Sequence, residues 1–243
     1  HRVDRRQRQM CIRDSFELTG PTMPNLGNFA VSDAAGKTMG FEDLFAQNYA
    51  DGLVVVQGEQ LLFEKYFRHL DAHGQHIWFS MSKSLASTAL GLLVEAEKID
   101  LSASPTKYIP ELKGSGFDRV TIQHVLDMAT SIDFNENYTD INSDFLVHYA
   151  PALNLVWLKG AADIKPGETQ IYGVHDFLTH FIKPDLKRQP GDNFDYNSSN
   201  ADVLGWLISR ISGQPFQDYI QQNIWSKIGA EHDGYIAVDR AFM

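Results

Sequence analysis

The segment Ser80-Met81-Ser82-Lys83 stands at the start of an amphipathic run that extends to Ile99. A serine and a lysine three positions apart at a helix start share one face, so Oγ of Ser80 and Nζ of Lys83 can meet. A serine hydroxyl is a poor nucleophile at neutral pH and needs an adjacent base. A lysine amine acts as a base only in its neutral form, which burial favours. The spacing therefore predicts a nucleophile with its base at the start of a helix.

The residues around Ser80 help to decide whether this pattern marks a catalytic site, because serine and lysine also occur at this spacing in solvated helices by chance. The flanking residues are apolar or aromatic, which predicts that Ser80 is not a solvated surface serine: Ile77, Trp78, Phe79 and Met81. The run that follows places its apolar residues on one helical stripe: Leu85, Ala89, Leu92, Leu93, Ala96 and Ile99.

Composition limits the classes of protein that this chain can represent. The 243 residues are 43% hydrophobic and 21% charged, which is typical of one globular unit or two small ones. The formal net charge of −10 argues against a nucleic-acid or anionic-membrane partner. No apolar run reaches the length that a membrane span needs. Cys11 is the only cysteine, so an intrachain disulfide and a Cys-x-x-Cys metal site are both excluded.

The first 15 residues differ from the rest, with five arginines and two aspartates and hence a net charge of +3. A basic N-terminal arm is one interpretation. The string RQRQMCIRDS favours another, namely a translated sequencing adapter joined to an assembled fragment, so residues 1–15 are not expected to belong to the native fold. We therefore expect their removal to leave the melting temperature unchanged.

The rest of the chain, residues 16–243, divides by pattern into three successive parts. Residues 51–100 hold a predicted β-hairpin and the helix after Ser80, residues 101–195 a helical region, and residues 196–243 a second motif with its following helices. The hairpin pairs Leu53–Val56 with Leu61–Phe67, and helices on each side are expected to cover it. Further predicted helices are Gly40–Asn48, Thr121–Met128, Val174–Ile182, Ala201–Ile211 and Pro215–Trp225, with a polar surface loop over 131–145.

The second motif is the loop Pro190–Asn200, which directly precedes the predicted helix Ala201–Ile211. A tyrosine such as Tyr196 on a loop before a helix can reach into a cleft and carry a proton. A buried tyrosine that only packs, with its hydroxyl satisfied, is the alternative.

The two motifs together resemble the serine β-lactamase and penicillin-binding-protein superfamily. Ser80-x-x-Lys83 opens a helix, and Phe194-x-Tyr196-x-Ser198 follows about a hundred residues later, as in that superfamily. The chain is most similar to its class C-related hydrolases and esterases, including the nylon-oligomer (6-aminohexanoate-dimer) hydrolases. Other stretches from about residue 50 to the end fit the same group: 108–116, 120–122, 204–206 and 225–233.

The resemblance implies a role for each candidate residue. Ser80 would be the acylated nucleophile, and Lys83 would take its proton. Tyr196 would pass a proton to the leaving group and later activate water. Ser198 stands where many class C enzymes have asparagine, and its hydroxyl is expected to bond Lys83 or substrate. Tyr138 resembles an aromatic residue that contacts substrate in this group.

The implied fold is α/β (α+β) of the β-lactamase/transpeptidase type, with an antiparallel sheet, flanking helices and a helical subdomain between the two motifs. The family's third motif, a lysine or histidine followed two residues later by glycine, stands on a sheet strand beyond the second motif, and no strand is predicted after Tyr196 to carry it. That strand also supplies one N–H of the oxyanion hole. We therefore expect a fragment that lacks the C-terminal strands, and a site that is inactive if they are needed.

The expected function is hydrolysis of a small-molecule ester or amide through an acyl-enzyme on Ser80. Two alternatives remain: a β-lactamase or D,D-peptidase with the same chemistry, and a non-catalytic penicillin-recognising fragment. His73 and His76 leave a serine–histidine pair open, although no Gly-x-Ser-x-Gly motif occurs. The sequence has no complete nucleotide-binding, zinc-protease or calcium-loop motif, so neither cofactor nor metal is expected.

Overall fold

The structure, a computed structural model, describes residues 7–10, 23–155, 171–230 and 232–239. Backbone contacts group the chain into two compact units. One unit is Phe16–Phe79, and the other comprises Ser80–Met243 together with His1–Ser15. The three-part division of residues 16–243 made from sequence stays a prediction.

The described residues form a mixed fold of short antiparallel strands and helices, as predicted. The strands are β1 (Gln7–Met10), β2 (Ala30–Ser32), β3 (Thr38–Gly40), β4 (Gly52–Gln57), β5 (Gln60–Tyr66), β6 (Ile132–Asp133), β7 (Lys183–Pro184) and β8 (Gly234–Ala237). They pair antiparallel two by two, as β1–β8, β2–β3, β4–β5 and β6–β7.

The α-helices are α1 (Phe41–Gln47), α2 (Ser82–Glu95), α3 (Ile122–Leu126), α4 (Ala150–Ala152), α5 (Val174–Asp176), α6 (Ser198–Ser212) and α7 (Phe216–Ile220). Wider π-helical turns precede α4 or extend α5 and α7, at Phe145–Tyr149, Phe177–Phe181 and Gln221–Trp225. Short 3-10 turns lie at Pro24–Asn28, Phe79–Met81, Pro105–Lys107 and Pro110–Leu112. Among the described residues, no helix combines the length and the hydropathy that crossing a membrane requires.

The unit 16–79 is built on the predicted hairpin. Val55 of β4 lies opposite Phe63 of β5, and the Phe63 ring meets that of Phe41 edge to face at 5.5 Å between centroids. Side chains alternate across a strand, so the other face carries Val54 and Val56, which are 49% and 44% exposed. Within the unit 16–79, α1 packs against the face that carries Phe63. The expected helix on the other face stays a prediction.

The unit that begins at Ser80 has its core between α2 and α6. Leu90 and Leu93 of α2 and Val203 and Leu207 of α6 are at most 1% exposed. The helix after Ser80 is shorter than predicted, since α2 ends at Glu95 and Glu97 takes a left-handed φ of +54°. Ile99 is buried in this core from outside the helix.

Helix caps explain where α3 and α6 begin. The Thr121 hydroxyl accepts the His124 N–H at 3.1 Å, and the His124 ring accepts the Thr121 N–H at 3.3 Å, which is a capping box at the first residue of the predicted helix. The Asn197 side chain accepts the Ser199 N–H at 3.1 Å, so α6 begins three residues before the predicted start. Ser198 therefore occupies the first turn of a helix, immediately after the loop that carries Tyr196.

Strands β1 and β8 pair over four residues, from Gln7 opposite Ala237 to Met10 opposite Gly234. This ladder gives part of the segment 1–15 a backbone partner. Its foreign origin stays a prediction, which deletion of the segment and a melting curve would test.

Gly116 is a position where a side chain cannot be added without displacement. A Cβ there would lie 2.8 Å from Cγ2 of Ile132 and 2.9 Å from both Cγ2 of Ile182 and the carbonyl oxygen of Lys183. We expect Gly116→Ala to lower the free energy of unfolding by about 1–3 kcal/mol, because the backbone oxygen cannot rotate away. Chemical denaturation measures the change.

The matched control is Gly91→Ala within α2, where an added Cβ meets no atom within 4 Å. Alanine is the better helix former there, so a gain of roughly 0.5–1 kcal/mol is expected. Equal stability of the two variants would contradict the packing around Gly116.

Candidate active site

The 3-10 turn Phe79–Met81 carries Ser80 directly before α2, and Lys83 lies in the first turn of that helix. Nζ of Lys83 donates to Oγ of Ser80 at 2.9 Å. The predicted serine–lysine pair therefore meets, and the positive end of the helix dipole favours negative charge developing on Oγ.

Ser80 itself is exposed, contrary to the prediction from its apolar neighbours. Ile77, Trp78, Phe79 and Met81 each keep more than 40% of their surface accessible, so they bury neither themselves nor the serine. The sequence argument failed because apolar character indicates burial only when another element packs over it. A reagent in solution can therefore reach Oγ.

Phe79 has a φ of +44°, in the left-handed region that bulky residues rarely adopt. Such a conformation costs roughly 1–3 kcal/mol and is found most often at functional sites. The strained residue immediately precedes Ser80, and no sequence signal pointed to it.

Tyr196 reaches the same oxygen from a distant part of the sequence. Its hydroxyl donates to Oγ of Ser80 at 2.7 Å, and the Lys83 nitrogen lies 5.2 Å from the centre of its ring. The three residues predicted as catalytic thus converge on one atom. The alternative of a tyrosine that merely packs does not describe Tyr196, which is 39% exposed.

The charge around Tyr196 changes its acidity. Partial burial opposes ionisation of the phenol, but hydrogen bonds with Ser80 and Lys83 and the charge of Lys83 outweigh it and lower the pKa of Tyr196. A phenol with a lowered pKa is a better proton relay near neutral pH.

A set of contacts holds the loop that carries Tyr196. The backbone N–H of Asp195 donates to the carbonyl of Met128 at 2.7 Å. Arg188 donates to the carboxylates of Asp195 and Asp185 at 2.8 Å and 2.7 Å. These bonds position Tyr196 before the start of α6.

Glu136 connects the two predicted substrate-binding residues, and sequence reasoning missed it. Its carboxylate accepts the Ser198 N–H at 2.6 Å and the Ser198 hydroxyl at 2.5 Å. It also accepts the Tyr138 hydroxyl at 2.5 Å. The hydroxyl of Ser198 therefore bonds Glu136 rather than Lys83. The available signal was an acidic residue two positions before Tyr138, in a stretch that was interpreted as a solvated loop.

A pocket of about 480 Å³ opens beside these residues, within the size range of small-molecule sites. Its lining combines the loop after β6 with the second motif: Phe134, Asn135, Glu136, Asn137, Tyr138, Thr139, Asp195 and Tyr196. Tyr138 is 56% exposed and packs edge to face on Phe145 at 4.7 Å. The predicted contact residue Tyr138 thus lies in the same pocket as Tyr196.

Tyr149 and Asp202 form a polar pair in the same unit. The Tyr149 hydroxyl donates to the Asp202 carboxylate at 2.5 Å. Burial raises the pKa of Asp202 to about 7, against the opposing effects of the Tyr149 hydrogen bond and the Lys83 charge. Negative charge on Glu136 and Asp239 raises it further.

The raised pKa of Asp202 predicts a pH-dependent stability. The folded chain holds this proton more tightly than the unfolded chain, whose carboxyl has its ordinary value of 3.8. The contribution of the Asp202 carboxyl to the free energy of unfolding is complete below pH 3.8 and is lost as the pH rises through about 7. We compare the free energy of unfolding of Asp202→Asn with that of the parent protein at each pH. The difference should shift in favour of Asp202→Asn by on the order of 2–4 kcal/mol between pH 5 and pH 8. Denaturant titrations of both proteins at the two pH values measure this difference, and parallel profiles would contradict it.

His76, one of the two histidines of the serine–histidine alternative, is bonded within the unit 16–79. Both ring nitrogens of His76 are engaged, Nε2 with the Asp51 carboxylate at 3.0 Å and Nδ1 with the Ile77 carbonyl at 2.9 Å. Across the described ranges, histidine, cysteine and acidic side chains form no cluster of three that could hold a metal ion.

Comparison with known proteins places this chain in one family. The family described as Beta-lactamase matches residues 41–242, which is most of the chain. The chain belongs to this β-lactamase family.

Individual relatives agree with that assignment. The chain is 33% identical over 200 residues to the 6-aminohexanoate-dimer hydrolase of Paenarthrobacter ureafaciens, covering 82% of this chain and 47% of that protein. A Bacillus anthracis structure, provisionally named as a 6-aminohexanoate-dimer hydrolase, superposes with a TM-score of 0.81 at 25% identity, covering 98% of this chain and 60% of that one. A class C β-lactamase shares the fold, with a TM-score of 0.52 at 18% identity over 79% of this chain and 47% of that chain.

The predicted fold and family are thereby confirmed, and the named relatives are hydrolases. The chain spans about half the length of the Paenarthrobacter protein and three fifths of the Bacillus chain.

Proposed function

We propose that this chain carries a serine hydrolase site that cleaves a small amide or ester through an acyl-enzyme on Ser80. The observation that carries the proposal is the convergence on Oγ of Ser80. That oxygen accepts from the Lys83 nitrogen at 2.9 Å and from the Tyr196 hydroxyl at 2.7 Å. A nucleophile within hydrogen-bond reach of two proton carriers is the arrangement that covalent acyl transfer needs.

In the acylation step, Oγ of Ser80 attacks the substrate carbonyl while its proton passes to the neutral amine of Lys83. The new C–O bond makes a tetrahedral intermediate, whose charge the N-terminal end of α2 helps to stabilise. The carbonyl–leaving-group bond then breaks. Tyr196 gives its proton to the departing amine or alcohol and regains one from Lys83.

In the deacylation step, Tyr196 first passes its proton to Lys83, and the resulting phenolate takes a proton from the water that attacks the acyl group on Ser80. The bond between Oγ and the acyl carbon then breaks, the acid leaves and Lys83 returns its proton to Oγ of Ser80. The lowered pKa of Tyr196 supports this role, because it makes the phenolate easier to form.

Two observations support a small amide as the substrate. The pocket beside Tyr196 has a volume of about 480 Å³, which suits a short chain rather than a polymer. The relative at 33% identity is named for an amide substrate, the 6-aminohexanoate dimer.

The test is covalent labelling with a fluorophosphonate, followed by intact-mass measurement and peptide mapping. We expect one adduct per chain, located on Ser80, and none on urea-unfolded protein. Absence of an adduct, or an adduct on another residue, would contradict the proposal. Turnover of nitrocefin in place of a p-nitroanilide or p-nitrophenyl ester would instead favour the β-lactamase alternative.

A further inference from the structure

Three acceptors from separate places in the chain meet at the guanidinium of Arg188. Its Nε donates to the Asp185 carboxylate at 2.7 Å, and its Nη1 donates to the Asp195 carboxylate at 2.8 Å. Its Nη2 donates to the backbone carbonyl of Ile132 at 3.1 Å. Each nitrogen of the planar fork thus has an acceptor of its own, and the guanidinium is fixed relative to all three segments.

Two of these acceptors lead directly into the lining of the pocket. Asp195 lines the pocket itself and immediately precedes Tyr196 in the chain. Ile132 belongs to β6, and the loop after β6 supplies the other lining residues, which begin at Phe134. Arg188 therefore joins the part of the pocket that carries Tyr196 to the strand that begins the rest of it.

The backbone that receives this loop is strained at two positions. Met128 and Ser131 each take a φ of +51°, in the left-handed region that residues with a side chain rarely adopt. The N–H of Asp195 donates to the Met128 carbonyl at 2.7 Å, and that of Asp185 donates to the Ser131 carbonyl at 3.0 Å. Strained backbone persists only where its surroundings hold it. The two residues that make these bonds are the two whose carboxylates Arg188 holds.

We infer that Arg188 is a positioning residue that keeps Tyr196 within reach of the leaving group, so that its loss slows most the substrates whose leaving group needs a proton. The Tyr196 hydroxyl lies 2.7 Å from Oγ of Ser80, and a misplacement of about 1 Å can cost about a hundredfold in rate. Ser80 and Lys83 are held by α2 and the turn before it, to which none of the three guanidinium bonds runs. The inference rests on the proposed serine hydrolase site and concerns its proton relay.

Aryl phosphonates separate the proton relay from the nucleophile, because one phosphonyl group can carry different aryloxides. In the labelling step, Oγ of Ser80 forms a bond to phosphorus, and the bond from phosphorus to the aryloxide breaks. The serine proton passes to Lys83, while Tyr196 gives its proton to the aryloxide and regains one from Lys83. The p-nitrophenoxide ion is a weak base that leaves readily without this proton, whereas phenoxide depends on it.

The experiment compares the rates at which ethyl p-nitrophenyl hexylphosphonate and ethyl phenyl hexylphosphonate label Ser80. Both reagents leave the same adduct, which intact-mass measurement follows over time, and no turnover is required. In Arg188→Gln we expect the ratio of the p-nitrophenyl rate to the phenyl rate to rise by about tenfold or more over the parent ratio. The p-nitrophenyl rate itself should change by less than about threefold, because the nucleophile and its base stay in place.

Three further variants test whether the three-way contact of Arg188 is responsible. Arg188→Lys keeps the charge but not the fork, so it should also raise the ratio, by about threefold or more. Asp195→Asn weakens the bond nearest Tyr196, should raise the ratio too, and serves if Arg188→Gln does not fold. Arg210→Gln is the matched control, since Arg210 has a similar exposure and donates to the Glu111 carboxylate at 2.7 Å. It should keep the parent ratio.

Tyr196→Phe shows whether Arg188 acts through the tyrosine. This substitution removes the proton donor itself, so the ratio should rise at least as far as in Arg188→Gln. When both substitutions are combined, Arg188→Gln should add nothing to the ratio, because a positioning residue acts only through the group that it holds.

The outcomes separate this inference from the function on which it rests. A parent protein that is labelled on Ser80 by neither phosphonate nor the fluorophosphonate would contradict the proposed function. Equal slowing of both aryl reagents in Arg188→Gln, an unchanged ratio, a full return to the parent ratio in Arg188→Lys, or a further rise in the double variant would overturn the role of Arg188. The proposed function would stand in each of these four cases.

Discussion

Ser80→Ala is expected to reduce hydrolysis by roughly a thousandfold or more, because the covalent route through Oγ no longer exists. The two hydrogen bonds that converge on this oxygen, from Lys83 and Tyr196, lose their acceptor together. Initial rates on a p-nitroanilide and on a p-nitrophenyl ester, together with fluorophosphonate labelling, measure the effect. Both activities and the adduct should disappear in parallel.

Ser87→Ala is the matched control, because it removes an exposed hydroxyl from the same helix. That hydroxyl donates to the Ser84 carbonyl one turn earlier at 3.0 Å and has no contact with the site. Its rates should equal those of the parent protein. Activity above a tenth of the parent value in Ser80→Ala would refute the nucleophile assignment.

Lys83→Met is expected to slow acylation by about 10²–10⁴-fold, the usual contribution of a positioned general base. The substitution also removes a charge that favours the phenolate of Tyr196, so the pKa of Tyr196 should rise toward or above its ordinary value of 10. A rate that depends on the phenolate increases with pH through that pKa. The rising limb of the pH–rate profile should therefore move to higher pH.

Lys83→Arg separates the two roles, since arginine keeps the positive charge but does not give up a proton in the working pH range. Lys83→Arg should lack the general base. The rising part of its pH–rate profile should stay nearer to that of the parent protein. Stopped-flow labelling rates measure acylation, and the decay of the acyl-enzyme formed from a p-nitrophenyl ester between pH 6 and pH 10 gives the profile of the step that uses the phenolate. Lys98→Met beyond α2 is the control for loss of a surface charge. An unchanged labelling rate in Lys83→Met would exclude a general-base role.

The features of the site that could be predicted from sequence are those set by short stretches of chain. Ser80 and Lys83 meet because they lie three residues apart at a helix start, where one helical turn brings them together. The Thr121 cap and the hairpin β4–β5 follow from local rules of the same kind. Tyr196 was recognised through the resemblance of a second motif to a family, since nothing local to it shows that it reaches Ser80.

The features that sequence reasoning missed depend on contacts between distant segments. Glu136 lies in a loop that reads as solvated, and its importance comes from Ser198, 62 residues away. The exposure of Ser80 was mispredicted because its apolar neighbours indicate burial only where another element covers them.

The sequence alone determined the serine–lysine pair and the positions of the main helices, since periodicity, caps and i, i+3 spacing act within a few residues. The resemblance of its two motifs to a known superfamily indicated the family. Tertiary structure decided which groups share one oxygen and which way the hydroxyl protons point. It brings Tyr196 within 2.7 Å of Ser80 across 116 residues and directs Ser198 and Tyr138 at one carboxylate. Hydrogen-bond direction depends on the partner that packing supplies, and no local pattern encodes that partner.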